Sequence, residues 1–280
     1  MAVMVNAHID FGYPWWLSYG HVVVFVPALA LLLLALARRW SRGAIVLFAV
    51  LVLWSGASLF MSTFLFNING VPPLPTANFF REGKGRVLDI GAGTGRSSIM
   101  VLAARPQATL VASDLFGQSF EQHFGRGQSP QERLLANLKL AGVDNRATIE
   151  TADMRQLPFA SASFDAVVSA YTVDHVNREG SAKALAEAFR VVKPGGDFLL
   201  ILISNDRWAK FAYGPMLAHG GTRGPAWWTA RLQEAGFQVL EQGTQPVTLY
   251  LLARRPLLSS CRCGVAQPGD RNHGIHLSIT

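Results

Sequence analysis

The sequence predicts a doubly wound α/β domain with a mostly parallel sheet, preceded by two membrane helices. The domain is indicated by short apolar runs that alternate with amphipathic stretches after residue 77. The two helices are indicated by an apolar excess that is concentrated between Val22 and Phe66. That excess makes the mean hydropathy positive, at +0.24, although the rest of the chain has an ordinary globular composition.

Two uncharged apolar runs lie near the N-terminus, one within residues 19–37 and the other over residues 43–66. Each approaches the roughly 20 residues that a helix needs to cross a bilayer. Pro27 interrupts the first run, which argues against a soluble helix but is tolerated in a membrane helix. Aromatic residues flank this run, as at membrane interfaces: Tyr13, Trp15, Trp16, Tyr19 and Trp40. A cleaved signal peptide is the competing interpretation, but the N-terminal segment has no Lys or Arg and a second run follows.

The chain divides into five parts. They are an N-terminal segment (residues 1–18), a two-helix transmembrane anchor (19–66), a Pro-rich linker (67–77), an α/β domain (78–254) and a flexible tail (255–280). The linker contains Val71-Pro72-Pro73-Leu74-Pro75, a stiff extended sequence that marks a domain boundary. The tail is predicted because the periodic pattern dissolves there into polar sequence with glycine.

Strands and helices alternate within the α/β domain. Strands are predicted over residues 86–90, 109–113, 147–151, 164–170 and 197–203, with two more within 237–253. Helices are predicted over residues 95–104, 130–141, 181–191 and 226–235. The turn Pro194-Gly195-Gly196 is expected to end the third of these helices before the next strand begins.

The charge distribution argues against nucleic acid as a partner. The net charge is +7, but residues 78–254 contain 19 Lys or Arg against 16 Asp or Glu. A nucleic-acid binder concentrates basic charge on its folded domain, whereas more than half of this excess lies outside the domain, beside the apolar runs or in the tail. Cys261 and Cys263 also lie in the tail, too close in sequence for a structural disulfide. Their spacing with His273 and His276 fits no closed zinc pattern, so no metal site is predicted.

The strongest functional signal is the nine-residue sequence Val87-Leu88-Asp89-Ile90-Gly91-Ala92-Gly93-Thr94-Gly95. An apolar strand leads into three alternating glycines and then into a helix. Such glycines allow a tight turn and a close backbone approach to a ligand, and the helix N-terminus offers N–H groups to an anion. Dinucleotide-binding folds use G-x-G-x-x-G, whereas this spacing is G-x-G-x-G with an aspartate two residues earlier. The sequence resembles motif I of the class I S-adenosylmethionine-dependent methyltransferases, in which this loop holds the methionine end of the cofactor.

Four further stretches resemble the same family in the expected order. Residues 109–114 form a second strand that ends in an acid able to accept both ribose hydroxyls. Residues 151–159 resemble the segment that contacts adenine. Residues 163–169 resemble motif IV, the fourth strand, which leads into the active site, and residues 185–196 resemble the helix and glycine pair before strand five.

The resemblance covers roughly residues 78–254, and its details are closest to the ubiquinone- and menaquinone-type branch. It implies the class I methyltransferase fold, which is Rossmann-like, and S-adenosylmethionine as the cofactor. The residues that it implies for cofactor binding are Asp89, Gly91, Ala92, Gly93, Gly95, Asp114, Leu115, Asp153, Met154, Ser169 and Tyr171. Taken singly, Asp89 and Asp153 are also explained as caps of a helix or turn, and Asp114 as a solvated strand end. Five motifs in the correct order favour the cofactor site.

The catalytic residues are less evident. Methyl transfer from a sulfonium depends mainly on alignment of the acceptor, but an alcohol, phenol or carbon acid also needs a base. Residues 171–175 lie just beyond strand four, where the resemblance places such a base. Histidine ordinarily titrates near neutral pH, so His175 is the predicted base and Asp174 a second polar group beside it. The alternative, that His175 caps the next turn or lines the pocket without proton transfer, stays open.

An aromatic segment follows strand five. Its large side chains are Trp208, Phe211, Tyr213, Met216, Trp227 and Trp228. In the family this region often covers the acceptor, and an aromatic cover suits an apolar substrate. Two other interpretations are equally consistent with the sequence: the side chains fill the core, or they rest on the bilayer. The domain contains no cysteine, which argues against the arsenite methyltransferases.

These observations predict a methyltransferase that moves a methyl group from S-adenosylmethionine to a small lipophilic acceptor at the membrane. The first alternative is a nicotinamide-dependent oxidoreductase, which would need the third glycine one residue later. The second is a non-catalytic membrane-bound scaffold with a methyltransferase-like fold, against which the intact Asp89, glycines and Asp114 argue. The sequence does not indicate the oligomeric state.

Two arguments about topology conflict. Two spans return the chain to its starting side, so the N-terminus and the catalytic domain share a compartment. The loop between the spans carries Arg38, Arg39 and Arg42, which the positive-inside rule would place in the cytoplasm. A methyltransferase needs the cytosolic supply of its cofactor, so we expect a cytoplasmic catalytic domain on a multi-pass anchor. A shallow hairpin whose arginines meet lipid headgroups would also satisfy this expectation.

Overall fold

A computed structural model describes residues 9–117, 129–214, 223–245 and 247–257. The predicted tail lies outside these ranges from residue 258 onward, together with Cys261, Cys263 and their neighbouring histidines. Met216 of the aromatic segment also lies outside them.

The N-terminal part of the chain forms a helical hairpin. Its helices are α1 (Trp15–Tyr19), α2 (Val22–Ala37) and α3 (Arg42–Phe60), and α3 continues as a π-helical stretch over Met61–Phe66. Two stretches, Trp15–Ala37 and Arg42–Phe66, are long and apolar enough to cross a membrane, and only 17% of each is buried. The core helix of a soluble protein would be mostly buried, and these helices are not.

One face of α3 and its π-helical continuation carries small residues. Ser55, Ser58 and Ser62 of this face are fully buried. Small side chains let two helix backbones approach closely, and this is the usual way in which helices associate in a bilayer.

The α/β domain contains a seven-stranded sheet. Its strands are β1 (Lys84–Ile90), β2 (Gln107–Asp114), β3 (Ala147–Thr151), β4 (Phe164–Ala170), β5 (Val192–Ile203), β6 (Gln238–Gln245) and β7 (Thr248–Arg254). The order across the sheet is β3-β2-β1-β4-β5-β7-β6. The first five strands are parallel, and β7 runs antiparallel to both of its neighbours. The prediction of a mostly parallel, doubly wound sheet is confirmed.

Within the described ranges, five helices accompany the sheet: α4 (Arg96–Ala104), α5 (Pro130–Leu140), α6 (Arg178–Val191), α7 (Arg207–Tyr213) and α8 (Pro225–Glu234). Two apolar cores form, one on each face of the sheet. Val87 points into the core with α4 and α5, whereas the next residue, Leu88, points into the core with α6 and α8. Alternate side chains of a strand face opposite sides, so a strand buried on both faces is apolar at most of its positions.

The expectation that Pro194-Gly195-Gly196 ends a helix is wrong. Helix α6 begins at Arg178, where the Asn177 side chain caps it, and passes into β5 at Val192 without a turn. The glycines already lie in the sheet, because the Gly195 N–H donates to the Arg255 carbonyl at 2.7 Å and the Gly196 carbonyl accepts from the Arg255 N–H at 3.0 Å. Pairing with the chain that follows β7 therefore replaces the predicted turn.

The segments on either side of the hairpin pack onto the α/β domain. Phe11 is fully buried in the core beside α4 and α5, and Val71 and Leu74 of the Pro-rich linker are half-buried against the same core. The Thr94 hydroxyl donates to the Phe11 carbonyl at 3.0 Å. The residues just before the hairpin are thus fastened to the loop that follows β1.

Candidate active site

The glycine loop lies at the carboxyl edge of the sheet, where β1, β2 and β4 end together. The N–H groups of Gly91 and Ala92 both donate to the Ser113 carbonyl of β2, at 2.7 and 3.0 Å. The Thr172 hydroxyl, just after β4, donates to the Gly91 carbonyl at 3.0 Å. Ligands of open α/β sheets bind outside this edge, so the loop occupies the expected position for a cofactor site.

The loop requires glycine at each of its three glycine positions. Gly91, Gly93 and Gly95 have φ values of +75°, +54° and +94°, in the left-handed region that disfavours other residues. A Cβ at Gly91 would overlap the Thr172 side chain, and a Cβ at Gly95 would lie 2.6 Å from Leu134 Cδ1. The alternating spacing therefore reflects both backbone conformation and close packing.

Asp89 lies fully buried one residue before the end of β1. Its Oδ2 accepts hydrogen bonds from the hydroxyls of Ser97 and Ser98, at 2.7 and 2.6 Å. Burial raises the pKa of this carboxyl to about 6, although the two serine hydrogen bonds oppose the shift. Its Oδ1 is buried and has no hydrogen-bond partner among the described residues. A buried carboxylate oxygen of this kind is stabilised by a ligand that brings a donor or a positive charge.

Asp89→Asn should reduce the dependence of stability on pH. The folded pKa lies above the unfolded value of 3.8, so folding favours the protonated form. Protonated Asp89 therefore stabilises the folded protein below about pH 4, and this stabilisation is lost as the pH rises through about 6. For a shift of about two pKa units, the free energy of unfolding changes by on the order of 3 kcal/mol. We expect the free energy of unfolding of the apoprotein to fall less over this range in Asp89→Asn, measured by fluorescence-monitored denaturation. Parallel pH profiles of the two proteins would contradict this account of Asp89.

Asp114 ends β2 beside the glycine loop. Its Oδ2 accepts from the Gly93 N–H at 2.9 Å, and its Oδ1 accepts from the Phe116 N–H at 3.0 Å. A carboxylate offers about four acceptor positions, so each oxygen retains capacity for a ligand hydroxyl. The next residue, Leu115, is exposed and follows the strand at the same edge.

Asp153 and Met154 lie next to Asp114 across the sheet. The Ala152 N–H donates to the Asp114 carbonyl at 2.9 Å, which places the segment after β3 against the end of β2. The Asp153 carboxylate forms an ion pair with Arg155 at 2.6 Å, and hydrogen bonding from Arg155 lowers its pKa. The Met154 side chain packs against the apolar core that contains α6 and α8.

Ser169 and Tyr171 mark the end of β4. The Ser169 hydroxyl is fully buried and donates to the Ile90 carbonyl at 2.9 Å, so its side chain supports the chain just before the glycine loop. Tyr171 has a φ of +54°, and its hydroxyl bonds to Thr248 Oγ1 at 2.8 Å. Its ring meets Phe66, the last residue of the π-helical stretch, at a centroid distance of 6.2 Å. Tyr171 therefore connects the sheet edge with the end of the hairpin.

Asp174 and His175 lie in a short 3₁₀ turn, Val173–His175, that follows β4. Asp174 is half-buried, and its Oδ1 has no hydrogen-bond partner among the described residues. Burial raises the pKa of Asp174, and the neighbouring His175 offsets part of that shift. Asp174 borders a cavity of about 60 Å³ that Arg178 and Trp227 also line. His175 is exposed at the same sheet edge.

The aromatic segment divides between core and surface. Trp228 is buried in the core, Trp227 packs against it, and Tyr213 is buried against the hairpin. Trp208 and Phe211 of α7 are instead 49% and 40% exposed. A single role for the whole segment therefore does not fit the described residues.

Arg96 is a residue of the candidate site that the sequence analysis missed. It begins α4 directly after the glycine loop and is buried. Its guanidinium donates to the carbonyls of Gly70 and Asn67, at 2.8 and 3.2 Å, and lies over the rings of Phe66 and Tyr171. A cation in the first turn opposes the helix dipole, and this unfavourable position was the one signal in the sequence. Arg96 ties the cofactor loop to the end of the hairpin.

Tyr13 and Asn137 were also missed. Tyr13 is half-buried against the core that contains α4 and α5. Its burial raises its pKa, while the charge of Arg96 nearby lowers it. The Asn137 amide of α5 donates to the carbonyls of Asp10 and Thr94, at 3.0 and 2.8 Å. The Asn137 side chain thus links the N-terminal segment to the glycine loop, a long-range arrangement that no local pattern indicated.

Part of the α/β domain is similar in sequence to known methyltransferases. Residues 87–196 match the family model described as a methyltransferase domain. The chain is 33% identical over 122 residues to the ubiquinone/menaquinone biosynthesis C-methyltransferase of Syntrophotalea carbinolica, covering 44% of this chain and 45% of that protein. It is 33% identical over 116 residues to the demethylmenaquinone methyltransferase of Deinococcus radiodurans, covering 41% and 42%. The chain therefore spans less than half the length of these curated relatives.

Solved structures share the fold. An O-methyltransferase family protein from Burkholderia thailandensis superposes with a TM-score of 0.53 at 13% identity, covering 88% of this chain and 71% of that one. The apo form of the S-adenosylmethionine-dependent methyltransferase SibL gives a TM-score of 0.51 at 19% identity, covering 85% and 70%. The predicted methyltransferase fold is confirmed by these likenesses together with the family match.

Proposed function

We propose that this chain, whose residues 87–196 belong to the methyltransferase-domain family, transfers a methyl group from S-adenosylmethionine to a small lipophilic acceptor at a membrane. The observation that carries the proposal is the left-handed glycine loop, held between the buried Asp89 and the Asp114 carboxylate. The relatives whose names mention quinone biosynthesis support the acceptor class, since quinones partition into lipid.

The residues at the sheet edge fit this cofactor. Asp89 Oδ1, buried and without a partner among the described residues, suits the ammonium of the methionine end. Asp114 suits the ribose hydroxyls, and residues 153–154 suit the adenine. When bound, the cofactor supplies an electrophilic methyl group on a sulfonium. The chain's own contribution is then to align the acceptor and to exclude water.

In this proposal His175 is the general base that removes a proton from the acceptor. If the methylated atom carries a proton, a neutral imidazole within reach accepts it. Asp174 lies beside His175, and its ionised carboxylate would stabilise the imidazolium that forms. The aromatic rings of Tyr171, Phe66 and Tyr213 offer an apolar surface for a ring-shaped acceptor on the other side of this edge.

Ligand binding distinguishes a methyltransferase from the two alternatives, an oxidoreductase and a non-catalytic scaffold. Calorimetry of the full chain in detergent or nanodiscs should detect S-adenosylmethionine but no nicotinamide dinucleotide. Binding of the dinucleotide alone would favour the oxidoreductase, and binding of neither would favour the non-catalytic scaffold.

The membrane topology follows from the same proposal. The burial of Phe11 in the α/β domain supports an N-terminus and a catalytic domain on one side of the membrane. Arg38, Arg39 and Arg42 lie at the far end of the hairpin. We expect protease added outside sealed cells to leave the domain intact, because the cofactor is made in the cytosol. Digestion from outside would mean that the three arginines determine the orientation.

A further inference from the structure

We infer that helix α7, Arg207–Tyr213, is an interfacial helix that lies on the lipid surface beside the hairpin. This inference rests on the proposed membrane location and specifies how the acceptor site faces the bilayer. One face of α7 is buried: Ala209, Ala212 and Tyr213 pack with Met61 and Val247. The other face exposes two aromatic and two basic side chains: Trp208, Phe211, Arg207 and Lys210.

The hairpin fixes the position of α7. The Trp54 indole N–H donates to the Phe211 carbonyl at 2.9 Å, and His21 Nε2 hydrogen-bonds to the Ala212 carbonyl at 2.6 Å. These carbonyls belong to the last turn of α7, where the helix itself provides no donors. The His21 ring also packs edge-on against Trp54 and Tyr213, at 5.7 and 6.0 Å. Side chains of the apolar hairpin thus cap the C-terminal end of α7 and fix its position along the hairpin axis, beside His21 and Trp54.

With α7 at the near membrane surface, the two hairpin helices have to extend from it across the hydrocarbon core. Helix α3 extends about 18 Å from Arg42 to Trp54, and α2 about 24 Å from His21 to Ala37, at 1.5 Å per residue. Both lengths are shorter than the roughly 30 Å of a hydrocarbon core. With α7 at the near boundary of the hydrocarbon, the helix ends at Ala37 and Arg42 stop about 6–12 Å short of the far boundary. The long side chains of Arg38, Arg39 and Arg42 then extend toward the far headgroups.

The side chains of α7 suit this boundary. Tryptophan is enriched at the headgroup level, and basic residues there are attracted to anionic lipids. Trp15, Trp16 and Tyr19 of α1 are exposed in the same part of the molecule, just before α2. Phe60, Phe64 and Leu65 at the end of the second span are also exposed. The exposed apolar surface of the hairpin continues into α7. We therefore infer that the same lipid surface covers the hairpin and α7.

An interfacial α7 brings the acceptor site to the bilayer. The Tyr213 ring contacts Phe66 at 6.2 Å, and Phe66 contacts Tyr171 at 6.2 Å. Tyr171 immediately precedes Thr172, which bonds to the glycine loop. A continuous row of aromatic rings therefore leads from α7 to the cofactor edge, and a lipophilic acceptor would enter along it from the lipid phase.

Site-directed fluorescence in vesicles tests this inference. In the full chain with Cys261→Ser and Cys263→Ser, an environment-sensitive dye is attached through Trp208→Cys or Phe211→Cys. Leu33→Cys on the hairpin and Leu140→Cys on α5 are matched controls, because both leucines are 59% exposed. The proteins are reconstituted into phosphatidylcholine vesicles with phosphatidylglycerol, with and without lipids that carry a nitroxide quencher. Thermal unfolding of each labelled protein verifies that the domain is folded.

We expect blue-shifted, strongly quenched emission from positions 33, 208 and 211, and solvent-like emission from position 140. Quenching at 33 without quenching at 208 and 211 would overturn the inference and leave the anchor intact. Equal quenching at 140 would also overturn it, since the whole domain would then adsorb. No quenching at any position would contradict the proposed membrane location itself. None of these outcomes depends on methyl transfer, so they are distinguishable from failure of the catalytic proposal.

Discussion

His175→Ala is expected to lower turnover by about 10²–10⁴-fold, the contribution of a typical general base, while the affinity for S-adenosylmethionine changes little. The reason is position: His175 is exposed at the carboxyl edge of the sheet, just beyond β4, and interacts with the half-buried Asp174. Single-turnover kinetics on the acceptor, together with calorimetry for the cofactor, measure the two effects separately.

Two further variants make the His175 result interpretable. His175→Gln keeps a polar side chain but cannot accept the proton, so its turnover should resemble that of His175→Ala. Lys183→Ala changes an exposed residue of α6 and should keep normal turnover. Near-normal turnover in His175→Ala would leave His175 as a residue that caps the turn or lines the pocket.

Asp114→Ala is expected to weaken S-adenosylmethionine binding by about 1–3 kcal/mol, the range for charge-assisted hydrogen bonds. That change corresponds to a dissociation constant roughly 5- to 150-fold higher. Asp114 also accepts hydrogen bonds from the N–H groups of Gly93 and Phe116, so its loss removes a support of the glycine loop as well as the proposed ribose acceptor. Calorimetry gives the affinity, and thermal unfolding shows whether the loop support affects stability.

Glu150→Ala is the matched control for Asp114. Glu150 is an exposed carboxylate on the neighbouring strand β3, and its removal changes the charge by the same amount. We expect its cofactor affinity to stay close to that of the parent protein. An unchanged dissociation constant in Asp114→Ala would remove Asp114 from the cofactor site.

The elements with strong local patterns could be predicted from the sequence. The strands Ala147–Thr151 and Phe164–Ala170 have the predicted bounds, because each is an apolar or β-branched run between turn residues. The glycine loop was predictable because its three positions with positive φ, two of them in close contact with other side chains, accept only glycine. Local conformation decides such features, so a local pattern reveals them.

Features that depend on distant contacts could not be predicted. Residues 194–196 have the sequence of a turn, but backbone hydrogen bonds with Arg255 hold them in β5. The burial of Phe11 depends on α4 and α5, which lie more than eighty residues away in sequence. Arg96 likewise finds its partners in Asn67 and Gly70, within the predicted linker. Each was missed because the energy that fixes it comes from tertiary packing.

The most direct test of the methyltransferase account is transfer of a labelled methyl group. Membranes that contain the protein, and matched membranes without it, are incubated with S-adenosylmethionine that carries an isotopic methyl label, and the lipid extract is analysed by mass spectrometry. The account predicts a labelled lipophilic product that forms only with the protein and is strongly reduced in His175→Ala. An extract with no protein-dependent label, from a preparation that binds the cofactor and is supplied with the full lipid complement of its native membrane, would contradict it.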